Sequence, residues 1–170
     1  MSTSPVGLRI VGIDPGLNIT GYAVVDRSRN GLSLVEAGMI RGRSRGDLCA
    51  RLREIHEGVC DVIATFQPAT VSIEELYSHY ERPRTAILMG HARGVICLAA
   101  ALADVPVASY SATQIKRLLT GNGRAPKSQV QHAICREFGL AAPPEPPDVA
   151  DAMAIALCHH YLQRELSQAI

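Results

Sequence analysis

Four carboxylates, Asp14, Glu74, Asp148 and Asp151, stand where a divalent-cation site could be assembled. Asp14 closes a short β-branched run, Leu8, Ile10, Val11 and Ile13, and Pro15-Gly16 follows at once, so turn chemistry stops the strand on an acid. A charge held at the rim of a sheet persists only if it is paired, hydrated or bound to a metal. Glu74 follows the short strand-like stretch 70–73 (TVSI), with Glu75 as the competing choice beside it. Asp148 and Asp151 are spaced i, i+3 and share one helix face, and the stiff lead-in 141–147 (AAPPEPP) can fix that helix end against the same rim. Four converging carboxylates repel one another unless a cation neutralises them, and Mg²⁺ or Mn²⁺ prefers hard oxygen ligands. Two such ions about 3.5–4 Å apart can clamp the attacking water and the leaving oxygen of a phosphodiester. Taken singly, each acid also has a structural explanation: Asp14 as a turn cap, Glu74 as a strand-end polar group, Asp148 and Asp151 as charges favoured by a helix dipole. Only the set is specific.

The elements that must position these acids follow from periodicity. Residues 8–26 (LRIVGIDPGLNITGYAVVD) read as a hairpin with its returning strand at 21–25, and 32–40 as a third strand, followed by a polar loop at 41–46 (RGRSRG). Residues 47–66 place Leu48, Leu52, Ile55, Val59, Val62, Ile63 and Phe66 mostly at three- and four-residue steps, an amphipathic crossover helix. A helical crossover returns the chain in the same direction, so strand 70–73 should lie parallel to the first and bring Glu74 to the rim that holds Asp14. Residues 76–83 form a polar loop with Tyr77, His79 and Tyr80. Residues 85–102 form a helix apolar nearly all round, which must be covered on more than one side. Part of it should pack against its own copy across a two-fold axis, the alternative being the buried centre of a monomer. Residues 105–110 give a fifth strand. Ser111-x-x-Gln114 and Ser128-x-x-Gln131 are capping-box signatures for two short helices separated by the loop 120–127, and a last helix runs from 148 to about 166. The expected architecture is α/β, a five-stranded mixed sheet of three antiparallel strands and then parallel crossovers, with helices on both faces. Residues 8–166 form one domain between short tails at 1–7 and 167–170.

A chain of 170 residues, 47% of them hydrophobic, has enough apolar surface for one core. The net charge of +1 does not announce a nucleic-acid binder, but its distribution is uneven. Between residues 82 and 136 stand Arg82, Arg84, Arg93, Lys116, Arg117, Arg124, Lys127 and Arg136 against a single acid, Asp104. Such a run is either a solvated surface or a path for phosphates. Five cysteines without a C-x-x-C pair read as reduced core residues. The longest apolar run, residues 95–103, is too short to span a bilayer, and no targeting segment is visible, so a cytoplasmic protein without a membrane partner is expected.

GIDPG with the following TGYAVV, then SIEELY, ARGV, KSQVQH and D-x-x-D-A-x-A-I-A, resemble in order the RuvC family of Holliday-junction resolvases over nearly the whole chain. The resemblance implies an RNase H-like fold, a homodimer, and metal-dependent nicking of two strands of a four-way DNA junction in recombination and repair. A branch-migration helicase would be a further partner. It implies Asp14, Glu74, Asp148 and Asp151 as catalytic residues and as ligands of two Mg²⁺ or Mn²⁺ ions, with Glu74 preferred to Glu75 because the family's acid follows the apolar residue matched by Ile73. Lys116 and Lys127 match basic positions along the family's DNA path. Tyr77 stands where similar members often carry Phe, an aromatic that stacks on bases near the crossover. Arg82, Arg84, Arg117 and Arg124 complete the expected DNA-binding set. A GIDPG hairpin is also similar to the first phosphate loop of actin-like and sugar-kinase phosphotransferases, but those need two lobes and a second phosphate loop. A non-catalytic junction-binding protein would have no use for the four acids.

Overall fold

The structure is a computed structural model and describes residues 8–28, 31–42, 46–76 and 83–168. The expected tail at 1–7, the centre of the RGRSRG loop, Tyr77, His79, Tyr80 and Arg82, and the last two residues lie outside the described residues. The elements are β1 (Leu8–Asp14), β2 (Ile19–Ser28), β3 (Gly31–Arg41), α1 (Leu48–Phe66), β4 (Thr70–Glu74), α2 (Pro83–Leu102), β5 (Val107–Tyr110), α3 (Ala112–Thr120), α4 (Lys127–Phe138) and α5 (Pro147–Gln168). The sheet order is β3-β2-β1-β4-β5. The pairs β1–β2 and β2–β3 are antiparallel, whereas β1–β4 and β4–β5 are parallel. The five-stranded mixed sheet expected from the pattern is therefore present.

Successive side chains of a strand point to opposite faces, and β1 uses both. Val11 and Ile13 join Ile55 and Val59 of α1 and Ile96 and Ala100 of α2 in one buried cluster. On the other face Ile10 meets Ala156 of α5, while Ala23 of β2 packs with Met153 and Ile155 of α5, Ile115 of α3 and Ile134 of α4. Gly12 makes that second layer close. A Cβ added there would lie 2.3 Å from the Ala152 carbonyl oxygen, so α5 rests directly on the sheet backbone.

Local chemistry sets most boundaries. Asp47 caps α1 by accepting from the Cys49 and Ala50 N–H groups at 2.9 and 3.3 Å. Ser111 and Gln114 form a complete capping box at α3. The second expected box does not form. α4 starts two residues earlier, at Lys127 with Pro126 as its N-cap; the Pro126 carbonyl accepts from the Gln129 N–H at 3.0 Å, and Ser128 already lies inside the helix. Proline preset in extended backbone (φ −67°, ψ 157°) launches the turn without a side-chain cap. β5 is shorter than expected because the Val105 N–H closes back on the Ala100 carbonyl at 2.9 Å and Asp104 takes a positive φ of 55°, so the α2 terminus consumes the residues before Val107.

α2 is not the buried centre of a monomer, because its own chain covers one side of it and leaves the other open. Within the chain only Ala92, Ile96, Ala99 and Ala100 are buried, whereas Ile87, Leu98 and Leu102 are 63%, 51% and 69% exposed. A Cβ on Gly90 or Gly94 would meet nothing within 4 Å. At 20 residues and high hydropathy α2 also has the length and composition of a membrane span, because small residues extend the apolar stretch beyond 95–103. Its Ala and Ile face is nevertheless built into the core, and Arg93 Nη2 donates to Ser109 Oγ of β5 at 2.7 Å. All five cysteines are free; Cys158 is buried, but Cys49 is exposed, contrary to a uniform core role.

Candidate active site

The strand β1 ends at Asp14, where Pro15 removes the next backbone donor. The turn behind it is pinned by Thr20, fully buried, whose Oγ1 donates to the Gly16 carbonyl at 2.7 Å and accepts from the Gly16 N–H at 3.3 Å. The returning strand places Gly21 opposite Asp14. A Cβ on Gly21 would lie 2.1 Å from the Asp148 carbonyl oxygen, so the absence of a side chain lets the first turn of α5 settle beside Asp14. On the other side β4 runs parallel to β1 with Ile13 opposite Ile73, and Glu74 follows at the same rim. Among the described residues no backbone N–H caps the Asp14 carboxylate.

Electrostatics report the crowding. Burial, and then the neighbouring Asp151, Glu74 and Asp148, push the Asp14 carboxyl up to about 8, with Lys127 opposing. Glu74 is raised by burial and by Asp151, with Lys116 opposing. Glu75 differs: its N–H bonds the Tyr110 carbonyl at 2.8 Å, and it does not line the cleft in which Glu74 and Asp151 meet. That cleft, of about 260 Å³, carries Glu74, Asp151, Lys116 and Lys127 over apolar walls that include Ile115 and Val130. Lys127 Nζ lies 2.8 Å from Asp151 Oδ2, and this hydrogen bond holds the ammonium charged.

Among the described residues no three His, Cys, Asp or Glu side chains converge closely enough to hold one ion. The cation against Asp151 is the lysine. The donors themselves fit a hard divalent cation, being all carboxylate oxygens and so crowded that one of them resists ionisation near neutral pH. Such a cation would favour the charged forms of Asp14 and Glu74.

The other expected contacts scatter. Lys116 is half-buried in the cleft wall, but Arg84 at the start of α2, Arg117 on α3 and Arg124 in the α3–α4 loop are exposed and do not line it. His159 and His160 are buried on α5, where His159 Nδ1 lies 2.6 Å from the Tyr110 hydroxyl and His160 Nδ1 has no hydrogen-bond partner among the described residues; His91 and His132 are exposed. Sequence reasoning overlooked Thr20, Gly21 and the engagement of Lys127 with an acid. Glycine inside a strand was the available signal for Gly21, since it often marks close backbone approach. No local signal marked Thr20.

An antiparallel three-stranded unit extended by two parallel strands, with α5 laid on the sheet beside acids that end β1 and β4, is an RNase H-like fold in its resolvase form. A family model described as "Crossover junction endodeoxyribonuclease RuvC" matches residues 10–159, and the chain belongs to that family. It is 60% identical over 153 residues to the crossover junction endodeoxyribonuclease RuvC of Rhodopirellula baltica, covering 90% of this chain and 86% of the relative. The solved structure of T. thermophilus RuvC in complex with Holliday junction substrate superposes with a TM-score of 0.85 at 32% identity, covering 93% of this chain and 96% of that one. The yeast mitochondrial Holliday junction resolvase Ydc2, 13% identical with a TM-score of 0.69 over 97% of this chain and 85% of that one, shares the fold.

Proposed function

We propose that this protein resolves Holliday junctions in recombination and repair by metal-dependent hydrolysis of phosphodiester bonds in two strands. The observation that carries the reading is the crowding of Asp14 by Asp151, Glu74 and Asp148, two of which, Glu74 and Asp151, line a cleft together with Lys116 and Lys127. In this reading the four acids hold two Mg²⁺ or Mn²⁺ ions. When bound, the ions supply the positive charge that activates water and stabilises the departing oxygen. The chain's own work is positional: Thr20 and Gly21 fix Asp14 against α5, the β1–β4 register fixes Glu74, and Asp148 and Asp151 are presented one turn apart. Lys116 and Lys127 hold the phosphates that flank the cut. Arg84, Arg117 and Arg124, with Arg82 and Tyr77, extend the contact along the arms, Tyr77 by stacking on an unpaired base.

The exposed Ile87 and Leu98 and the open Gly90 and Gly94 support a homodimer formed through α2, which accounts for the unpaired apolar face without a bilayer. Two copies related by a two-fold axis would present two acid clusters to a junction with the same approximate symmetry. A branch-migration helicase would deliver the junction, and the setting is the cytoplasm. The test compares a labelled synthetic four-way junction with linear duplex of the same arms, with and without Mg²⁺. Paired nicks confined to the junction and to metal-containing reactions are expected, whereas equal cutting of linear duplex would overturn the reading.

A further inference from the structure

Lys127 occupies a position that helix physics disfavours. It is the first residue of α4, where the dipole opposes a cation, no acid stands in the first turn and no side chain caps the helix. What compensates it is Asp151, at 2.8 Å, with Asp14 and Asp148 close enough to add to the attraction. Lys127 is thus the counter-ion of the acid cluster. The same ammonium is exposed at the rim of the cleft, within reach of an incoming phosphate. A phosphate would compete with Asp151 for this charge, and a divalent cation at Asp151 would have to displace it. Resting on the proposed function above, we infer that Lys127 is an exchangeable counter-ion that hinders metal loading at Asp151 until a DNA phosphate takes the ammonium over. Lys127 is in this sense a positioning residue: it orders the two binding events, so that metal gathers at the acids chiefly when DNA is in place. Linkage then requires metal and DNA to raise each other's affinity by the same factor.

The test is titration of Mn²⁺ into the free protein, with unbound Mn²⁺ followed by electron paramagnetic resonance, for wild type, Lys127→Gln and Lys116→Gln. The last removes one positive charge beside Glu74 without touching the Lys127–Asp151 pair. Lys127→Gln should bind Mn²⁺ about tenfold more tightly than wild type without DNA, and Lys116→Gln less than about threefold. In a second arm, Mn²⁺ should strengthen wild-type binding to a junction with phosphorothioates at the cut sites, and should do so less for Lys127→Gln. Equal Mn²⁺ affinity in wild type and Lys127→Gln, or an equal gain in both lysine variants, would overturn the exchange. If junction cleavage still required metal, the acid-cluster reading would survive that result. Absence of Mn²⁺ binding in all three proteins, together with metal-independent cleavage, would overturn both.

Discussion

Asp14 is held where its charge is disfavoured, and that has a measurable sign. A carboxyl raised from 3.8 to about 8 on folding binds more protons in the native state than in the unfolded one between those pH values. Stability of the metal-free protein should therefore fall as pH rises from about 4 to about 8, and Mg²⁺ should restore it. Asp14→Asn removes the burden: it should stabilise the metal-free fold at pH 7.5 by about 1–3 kcal/mol in urea melts. A metal-free Asp14→Asn protein less stable than wild type would contradict the crowding. Lys116→Ala and Lys127→Ala should each flatten log K for junction binding against log salt by about one unit, as expected for one lost phosphate contact, and unchanged slopes would remove that role. At this scale the acids were legible because strand ends and an i, i+3 spacing are local properties. The Lys127–Asp151 pair was not, because it joins residues 24 apart across a loop whose path no local pattern encodes.

Among the elements, the placement of Asp148 beside Asp14 depends on α5 lying flush on β1 and β2. Gly21→Ala would force a methyl group toward the Asp148 carbonyl, at a position 2.1 Å from it, and lift the first turn of α5 away from Asp14. We expect cleavage to fall by about 10²-fold, the scale of a 1 Å misplacement, with the melting transition retained but lowered by about 1–3 kcal/mol. Cleavage at the wild-type rate would show that the helix need not sit so close. The strands, α1 and the α3 cap were legible from alternation, apolar steps and a capping box. The start of α4 was misjudged because a Ser-x-x-Gln pattern competes with a preceding proline, and backbone preset by Pro126 won.

At the scale of the whole molecule, composition showed that α2 has more apolar surface than one layer needs, but it could not separate burial inside the chain from burial between copies. The structure leaves Leu98 51% exposed on the side away from Ala92, Ile96 and Ala99. If α2 forms the proposed dimer contact, Leu98→Asp should fold, sediment as a monomer and lose paired nicking, since an interface would have to bury an unpaired charge. A folded Leu98→Asp dimer would place the contact elsewhere. Whether the four acids around Asp14 form a metal-dependent junction-cutting site is decided by cleavage mapping on one labelled four-way junction by wild type and Asp14→Asn. With Mg²⁺, wild type should give symmetric paired nicks while Asp14→Asn binds the junction at least as tightly and leaves it intact. Cutting by Asp14→Asn at the wild-type rate, or by wild type after thorough chelation, would contradict the account.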